Sequence, residues 1–264
     1  MLLAIDIGNS TIGMALFPEP LKNNNFFLKK IPTHPIMSSS FYEKKISELI
    51  KNKNKGLNSL EDIDFIISSV VPKANKSLES LAKKINNKEP LRVNYKLDCG
   101  IVFDVKKPDQ IGTDRIANAV GGLYYLKKKF AIVDFGTATT ITIIGIQKNF
   151  IGGVILPGIE LMQRSLHSGT AKLPLVPLKV PESLLGKDTL SSISSGILYG
   201  TAIAVEGIIK KLEKELGFRL RLILTGGFSV LLSPLIKKRH VLIPSLTYEG
   251  LRLIYLRNLY KFKK

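Results

Sequence analysis

The chain is short of the groups that hold many small proteins together or bind transition metals. It has one cysteine, Cys99, in 264 residues, and three histidines, His34, His167 and His240, spaced far apart. A single thiol excludes an internal disulfide and points to the reducing cytoplasm as the compartment. Scattered histidines without ligand spacing exclude a histidine-based metal centre. No uninterrupted apolar run is long enough to cross a bilayer, so no membrane association is expected. The opening MLLAIDIGNS has no basic leader and meets Asp6 after five apolar residues, which does not suit a signal peptide. Acids are also scarce. There are 21 against 39 basic residues, for a net charge of +18. A solvated lysine-rich surface, attraction of anionic small substrates and nucleic-acid binding all fit that charge. The lysines fall in scattered patches, Lys51–Lys55, Lys127–Lys129, Lys237–Arg239 and Lys261–Lys264, which favours the first reading, then the second.

What the chain does have is a hydrophobic share of 45%, enough for a substantial core in one large domain or two moderate ones. Its central stretch is Ala131–Gly145, AIVDFGTATTITIIG. An apolar run leads to Asp134, then Gly136 and the hydroxyls of Thr137, Thr139 and Thr140, and a β-branched run follows. This predicts a strand, a tight turn and a returning strand. A carboxylate at the end of a buried strand needs a cation or hydrogen-bond donors. The stretch suits a phosphate with its metal ion, and equally a polar hairpin turn. Residues 2–17 repeat the pattern, with Ala4–Gly8 matching Ile132–Gly136 and Asp6 falling on Asp134. Such a repeat argues for a duplicated unit.

The remaining pattern predicts an edge strand within Lys22–Lys30, helices over Phe41–Lys51 and Lys76–Asn86, and a buried strand over Asp64–Val71 stopped by Pro72. A short strand follows at Leu91–Val93. Gly112–Arg115 opens a helix to about Lys128, with Thr113 as its cap. Further on come a turn at Asn149–Gly153, helices over Ile159–Thr170 and Thr189–Leu216, and an ordered loop over Pro174–Gly186. A strand over Arg221–Leu224 and helices over Val230–Leu235 and Tyr248–Tyr260 complete the chain. No low-complexity linker appears. The expected lobes are 1–118 and 119–264, meeting near Ala119–Phe130.

Three glycine-bearing turns follow strands: Asp6-x-Gly8-Asn9-Ser10, Asp134-x-Gly136-Thr137 and Thr225-Gly226-Gly227. Phosphoryl transfer needs positioning and charge neutralisation more than covalent help. Facing hairpins can hold a triphosphate on backbone N–H groups, and their carboxylates can organise Mg²⁺ through its waters. A late Gly-Gly pair leaves space for a purine.

The order of motifs resembles the superfamily of acetate and sugar kinases, Hsp70 and actin, and more narrowly the type III pantothenate kinases. The segments carrying the likeness are Asp6–Asn9, Ser68–Pro72, Gly112–Asn118, Asp134–Thr140, Gly152–Gly158, Thr170–Pro174 and Thr225–Gly227. The resemblance implies an α/β fold of two tandem ribonuclease H-like lobes, the actin-like ATPase duplication, each a mixed sheet flanked by helices. It implies ATP-dependent phosphorylation of pantothenate, the first step of coenzyme A synthesis, by a homodimer. Asp114 is implied as the general base. Gly112, Thr113, Asp114, Arg115 and Thr189 are implied at the substrate, Arg115 alternatively as a site-shaping ion pair and Thr189 also as a helix cap. Asp6, Ile7, Gly8, Asn9, Ser10, Thr11, Ile12 and Gly13 form the implied first ATP loop, Gly136 and Thr137 the second, and Gly226 and Gly227 the adenosine contact. Asp6 would organise Mg²⁺ through water, and Asp134 would seat a potassium or ammonium ion.

Two departures from the family pattern stand out. Ser10 replaces a usual threonine and keeps the hydroxyl. Val105-Lys106-Lys107-Pro108 stands where Tyr-Asp-Asn-Pro is common, which removes an aromatic substrate contact at Val105, with Tyr95 a candidate to supply a ring from elsewhere. The alternatives are a kinase of a related small hydroxy substrate, motivated by Val105, and a nucleic-acid-binding or transcriptional accessory protein, motivated by the charge. The second leaves Asp6, Asp114 and Asp134 without work and sets acids against phosphodiesters.

Overall fold

The computed structural model describes residues 1–22, 25–51 and 63–262. The lysines at 53 and 55 and at 263–264, within two of the basic patches, lie outside the described residues. The chain forms two compact units, Met1–Tyr124 with Leu246–Lys264, and Tyr125–Ser245.

In unit 1 the strands are β1 (Leu2–Ile7), β2 (Thr11–Phe17), β3 (Phe27–Pro32), β4 (Asp64–Ser69) and β5 (Leu91–Arg92). The sheet order is β3-β2-β1-β4-β5. β1 pairs antiparallel with β2 and parallel with β4. A central strand covered on both faces needs apolar residues throughout, and LLAIDI has them everywhere except Asp6. The edge strand β3 instead alternates, with Ile31 inward among lysines. Helices α1 (Ser39–Lys51) and α2 (Pro72–Asn86) pack on the face of Leu3, Ile5 and Ile7. Helices α3 (Thr113–Leu126) and α7 (Leu246–Phe262) pack on the face of Leu2 and Ala4. Pro72 does more than stop β4. It is the first residue of α2, where a missing N–H costs nothing.

In unit 2 the strands are β6 (Phe130–Phe135), β7 (Ala138–Ile144), β8 (Phe150–Pro157), β9 (Arg221–Thr225) and β10 (His240–Leu242). Their order is β10-β9-β6-β7-β8. β6 is antiparallel to β7 and parallel to β9, and β10 is parallel to β9. Read from the opposite edge, this is the strand order of unit 1, so the repeat is a repeat of fold. Helices α4 (Ile159–Ser168), α5 (Thr189–Leu216) and α6 (Ser229–Leu232) complete the unit. Ile193, Ile197, Val205 and Ile209 of α5 join Ala131, Val133 and Phe135 in its core. By length and composition α5 could cross a membrane, although half of the relevant window is buried in the fold. Reading only uninterrupted apolar runs overlooks it, because serines, threonines and glycines break its pattern. The turn expected at Asn149–Gly153 falls earlier, at 145–149, and Ile151–Gly153 belong to β8.

Helix α7 packs with unit 1, whereas the sequence places 119–264 together. The physical reason is a close helix crossing. A Cβ on Gly250 would overlap the carbonyl oxygen of Ala117, and one on Gly121 would lie 2.8 Å from that of Leu246. Arg252, buried in an ion pair with Glu249, donates to the Pro20 carbonyl at 2.6 Å, and the Tyr255 hydroxyl donates to Asp64 at 2.6 Å. Burial, followed by that bond to Asp64, pushes the Tyr255 pKa well above the usual tyrosine range.

Candidate functional site

In unit 1 the first glycine turn joins β1 to β2. Gly8 N–H donates to the Thr11 carbonyl at 3.0 Å, Thr33 Oγ1 donates to the Gly8 carbonyl at 2.7 Å, and Thr33 N–H donates to the Ser10 carbonyl at 3.1 Å. The end of β3 thus fixes the loop, while Asn9, Ser10 and Thr11 stay exposed. Ile7 and Ile12 are buried in the core, so only their backbone can face a ligand. Gly13 pairs with Asp6 across the ladder, and the space a Cβ would need there is filled by the Tyr248 hydroxyl.

Asp6 is the penultimate residue of β1 and points to the face carrying α3 and α7. Opposite it on β4 is Ser68, which donates to Asp6 Oδ1 at 2.8 Å. Thr113 begins α3, but its hydroxyl does not cap that helix. It accepts from Ser69 N–H at 2.8 Å and lies 3.1 Å from the Ser69 carbonyl, tying α3 to the end of β4. Gly112 precedes the helix, and a Cβ on it would overlap Asp114 Oδ1. Its carbonyl accepts from Arg115 and Ile116. Asp114 Oδ1 accepts from Arg115 N–H at 2.8 Å. Burial raises the Asp114 pKa, against the smaller opposing pull of that bond and of the Arg115 charge. Burial likewise lowers the Arg115 pKa. Val105 sits half-buried in a bend before a short 3-10 turn at Pro108–Gln110. The Tyr95 ring packs against the core cluster around Leu2, with Lys96 Nζ 5.7 Å from its centroid, so it is engaged there.

In unit 2 Asp134 is again the penultimate residue of its strand, paired with Thr140 on β7 and Thr225 on β9. Gly136 N–H donates to Ala138 at 3.2 Å, and Gly158 N–H to Thr137 at 3.1 Å, holding a tight turn. Gly226 has φ +93°, and a Cβ there would overlap Asp134 Oδ1. That position therefore needs glycine both for its backbone and for space. Around Gly227 a Cβ would meet nothing within 4 Å. Thr189 is exposed at the start of α5. The cap is the preceding Asp188, which accepts from Ser191 N–H at 2.8 Å in a capping box. Thr189 lies on an open groove of about 1130 Å³ lined by Pro157, Leu161, Met162, Leu166 and Ile193.

These residues fit the ions the sequence implies. Among the described residues no three His, Cys, Asp or Glu cluster as a metal cage. Mg²⁺ keeps most of its waters and needs only one or two carboxylates, which Asp6 can supply. At Asp134 the Thr225 hydroxyl, fully buried on the same side of the sheet, has no hydrogen-bond partner. An oxygen without a partner beside a carboxylate suits a monovalent cation. Ser68 and Thr225 were both missed as site residues from sequence. The available signal was a hydroxyl ending an apolar strand, DFIISS and RLILT.

Two sheets of identical order, each with a carboxylate and a glycine turn at the end of its central strand, define the actin-like ATPase fold. Solved structures agree. A Campylobacter jejuni protein named for the Baf family of transcriptional activators matches with TM-score 0.60 and 20% identity over 98% of this chain and 99% of that one. Component A of (R)-2-hydroxyglutaryl-CoA dehydratase from Acidaminococcus fermentans gives 0.58 and 14% over 100% and 99%. MreB 5 of Spiroplasma citri, solved with AMPPNP bound, gives 0.52 and 10% over 98% and 97%. Within that fold the chain belongs to the type III pantothenate kinase family, whose sequence model matches residues 2–211.

Proposed function

We propose that the protein transfers the γ-phosphoryl group of ATP to the terminal hydroxyl of pantothenate, giving 4'-phosphopantothenate for coenzyme A synthesis in the cytoplasm. The observation that carries this reading is Asp114, a carboxylate with a burial-raised pKa in a gap left by Gly112, with Thr113 beside it tied to the Asp6 strand pair. Asp114 accepts the hydroxyl proton as the substrate oxygen bonds to the γ-phosphorus. The bond from that phosphorus to the β–γ bridging oxygen breaks, and ADP leaves with that oxygen. Arg115 offers a fork for the substrate carboxylate. Backbone N–H groups of the Gly8 and Gly136 turns take phosphate oxygens, and Gly226 and Gly227 lie against the adenosine. Asp6 would hold Mg²⁺ through its waters, and the ion when bound would neutralise phosphate charge. Incubation with ATP, Mg²⁺, a potassium salt and pantothenate should release ADP, and no release above the pantothenate-free control would sink the proposal. Val105 supports a second reading, a related small hydroxy substrate, which would show as ADP release with that substrate alone.

A monovalent cation held by Asp134 and Thr225 would neutralise charge beside the second loop. Replacing potassium by tetramethylammonium is expected to lower the rate at least tenfold, and Thr225→Val to raise the half-saturating potassium concentration. An unchanged rate without potassium would remove the cation from the scheme. The pH profile carries its own sign. Asp114 must be ionised to accept a proton, and its pKa is raised. The acid limb of kcat is therefore expected above the ordinary aspartate value of ~3.9, with rate lost as pH falls through it. Leu161 and Leu166 are exposed on the groove of unit 2, and we place the homodimer contact there. Leu166→Glu is expected to shift sedimentation from dimer to monomer.

A further inference from the structure

The carboxylate of Asp6 is not held by its own loop alone. Ser68 is fully buried, lies opposite Asp6 in the parallel ladder, and donates to Oδ1 at 2.8 Å. Behind it, Thr113 Oγ1 is 3.0 Å from Ser68 Oγ. The protons can be counted. Ser68 has one hydroxyl hydrogen, which goes to Asp6. Across the gap to Ser68, Thr113 must then be the donor. Its single hydrogen is divided between Ser68 Oγ and the Ser69 carbonyl at 3.1 Å, while its lone pair takes Ser69 N–H. The hydroxyls form a chain polarised toward the carboxylate, from Thr113 through Ser68 to Asp6. The residue after Thr113 is Asp114.

We propose that Ser68, backed by Thr113, is a positioning residue. It fixes one oxygen of Asp6, orienting that carboxylate toward the waters of a nucleotide-bound divalent ion, and it ties the carboxylate to the helix carrying Asp114. This rests on the reading above that Asp6 serves the metal. Unit 2 argues that the tie is functional and not a demand of the fold. Thr225 occupies the register position of Ser68, opposite Asp134, and its buried hydroxyl has no hydrogen-bond partner. The fold itself therefore does not require the hydroxyl at this position to bind the neighbouring carboxylate; in unit 2 it is left to the cation proposed above.

The test uses the full chain, AMPPNP and Mn²⁺ as a paramagnetic replacement for Mg²⁺, with bound Mn²⁺ read by electron paramagnetic resonance. Ser68→Ala is expected to weaken Mn²⁺ binding about tenfold, in the range for groups that orient metal ligands. Thr113→Val is expected to weaken it less, Thr113→Ser to leave it unchanged, and the double variant Ser68→Ala/Thr113→Val to match Ser68→Ala, because Thr113 acts through Ser68. Should Ser68→Ala fail to fold, a loss in Thr113→Val that is absent in Thr113→Ser supports the same assignment, and equal affinity in the two overturns it. Wild-type affinity in Ser68→Ala, additive losses in the double variant, or no Mn²⁺ uptake by the wild-type chain with AMPPNP would each overturn it. A chain that takes up Mn²⁺ with AMPPNP and loses it in Ser68→Ala, yet forms no ADP with pantothenate, keeps the Ser68 assignment and defeats only the pantothenate reading.

Discussion

Asp114→Asn is expected to lower kcat for ADP formation by about 10²–10⁴-fold, the usual contribution of a positioned general base, with little change in the KM for ATP. The same substitution is expected to stabilise the fold at neutral pH. Asp114 has a folded-state pKa raised by burial, so folding favours its protonated form. The stability it contributes is complete below its unfolded pKa of ~3.9 and is lost as pH rises through the higher folded value. At pH 7 the wild-type chain holds a desolvated carboxylate, and asparagine removes that cost. Urea denaturation and initial rates on the two proteins check both halves. Activity that survives unchanged defeats the assignment of the base. Lost activity with lost stability would mean instead that the site had collapsed.

Gly250→Ala should be the most damaging single methyl in the C-terminal helix, costing about 3 kcal/mol or more. The added Cβ would overlap the backbone of Ala117, which cannot swing aside as a side-chain end can. Overpacking of a close contact typically costs ~1–3 kcal/mol, and a rigid backbone neighbour places this site at the upper end. Gly207→Ala is the internal comparison. That glycine is exposed on α5 with nothing within 4 Å of the added carbon, and alanine there is expected to stabilise by up to about 1 kcal/mol. Opposite signs in urea midpoints would separate packing from intrinsic helix preference. A harmless Gly250→Ala would refute the crossing described between α3 and α7.

Much of this architecture was legible because its signals are local. The apolar runs before Asp6 and Asp134 are central strands, and Thr189–Leu216 is a helix with the bounds its pattern predicts. The expectation of two mixed sheets agrees with the repeated strand order. β10 was not legible, since three residues paired only along β9 carry no period. Nor was the allegiance of α7, which rests on Gly250 and Gly121 meeting backbone far away in sequence. At the site, Asp114 was visible as an acid in a glycine-opened helix. The work of Thr113 was not. A hydroxyl in a first helical turn normally reads as a cap, and only the register of β4 reveals that it serves Ser69 and Ser68 instead.

The discontinuity of unit 1 bears on how the chain is made. Synthesis proceeds at about 5–20 residues per second, and domains generally fold as they are completed. Unit 2 is a continuous stretch, Tyr125–Ser245, whereas unit 1 needs Leu246–Lys264 to cover the face of Leu2 and Ala4. The half begun first is therefore finished last. Until α7 arrives, that face of the sheet is covered by α3 but not by α7, and the nascent protein is most exposed to aggregation in that interval. Truncation before Leu246 would make the interval permanent, leaving unit 2 intact and the older half without its lid.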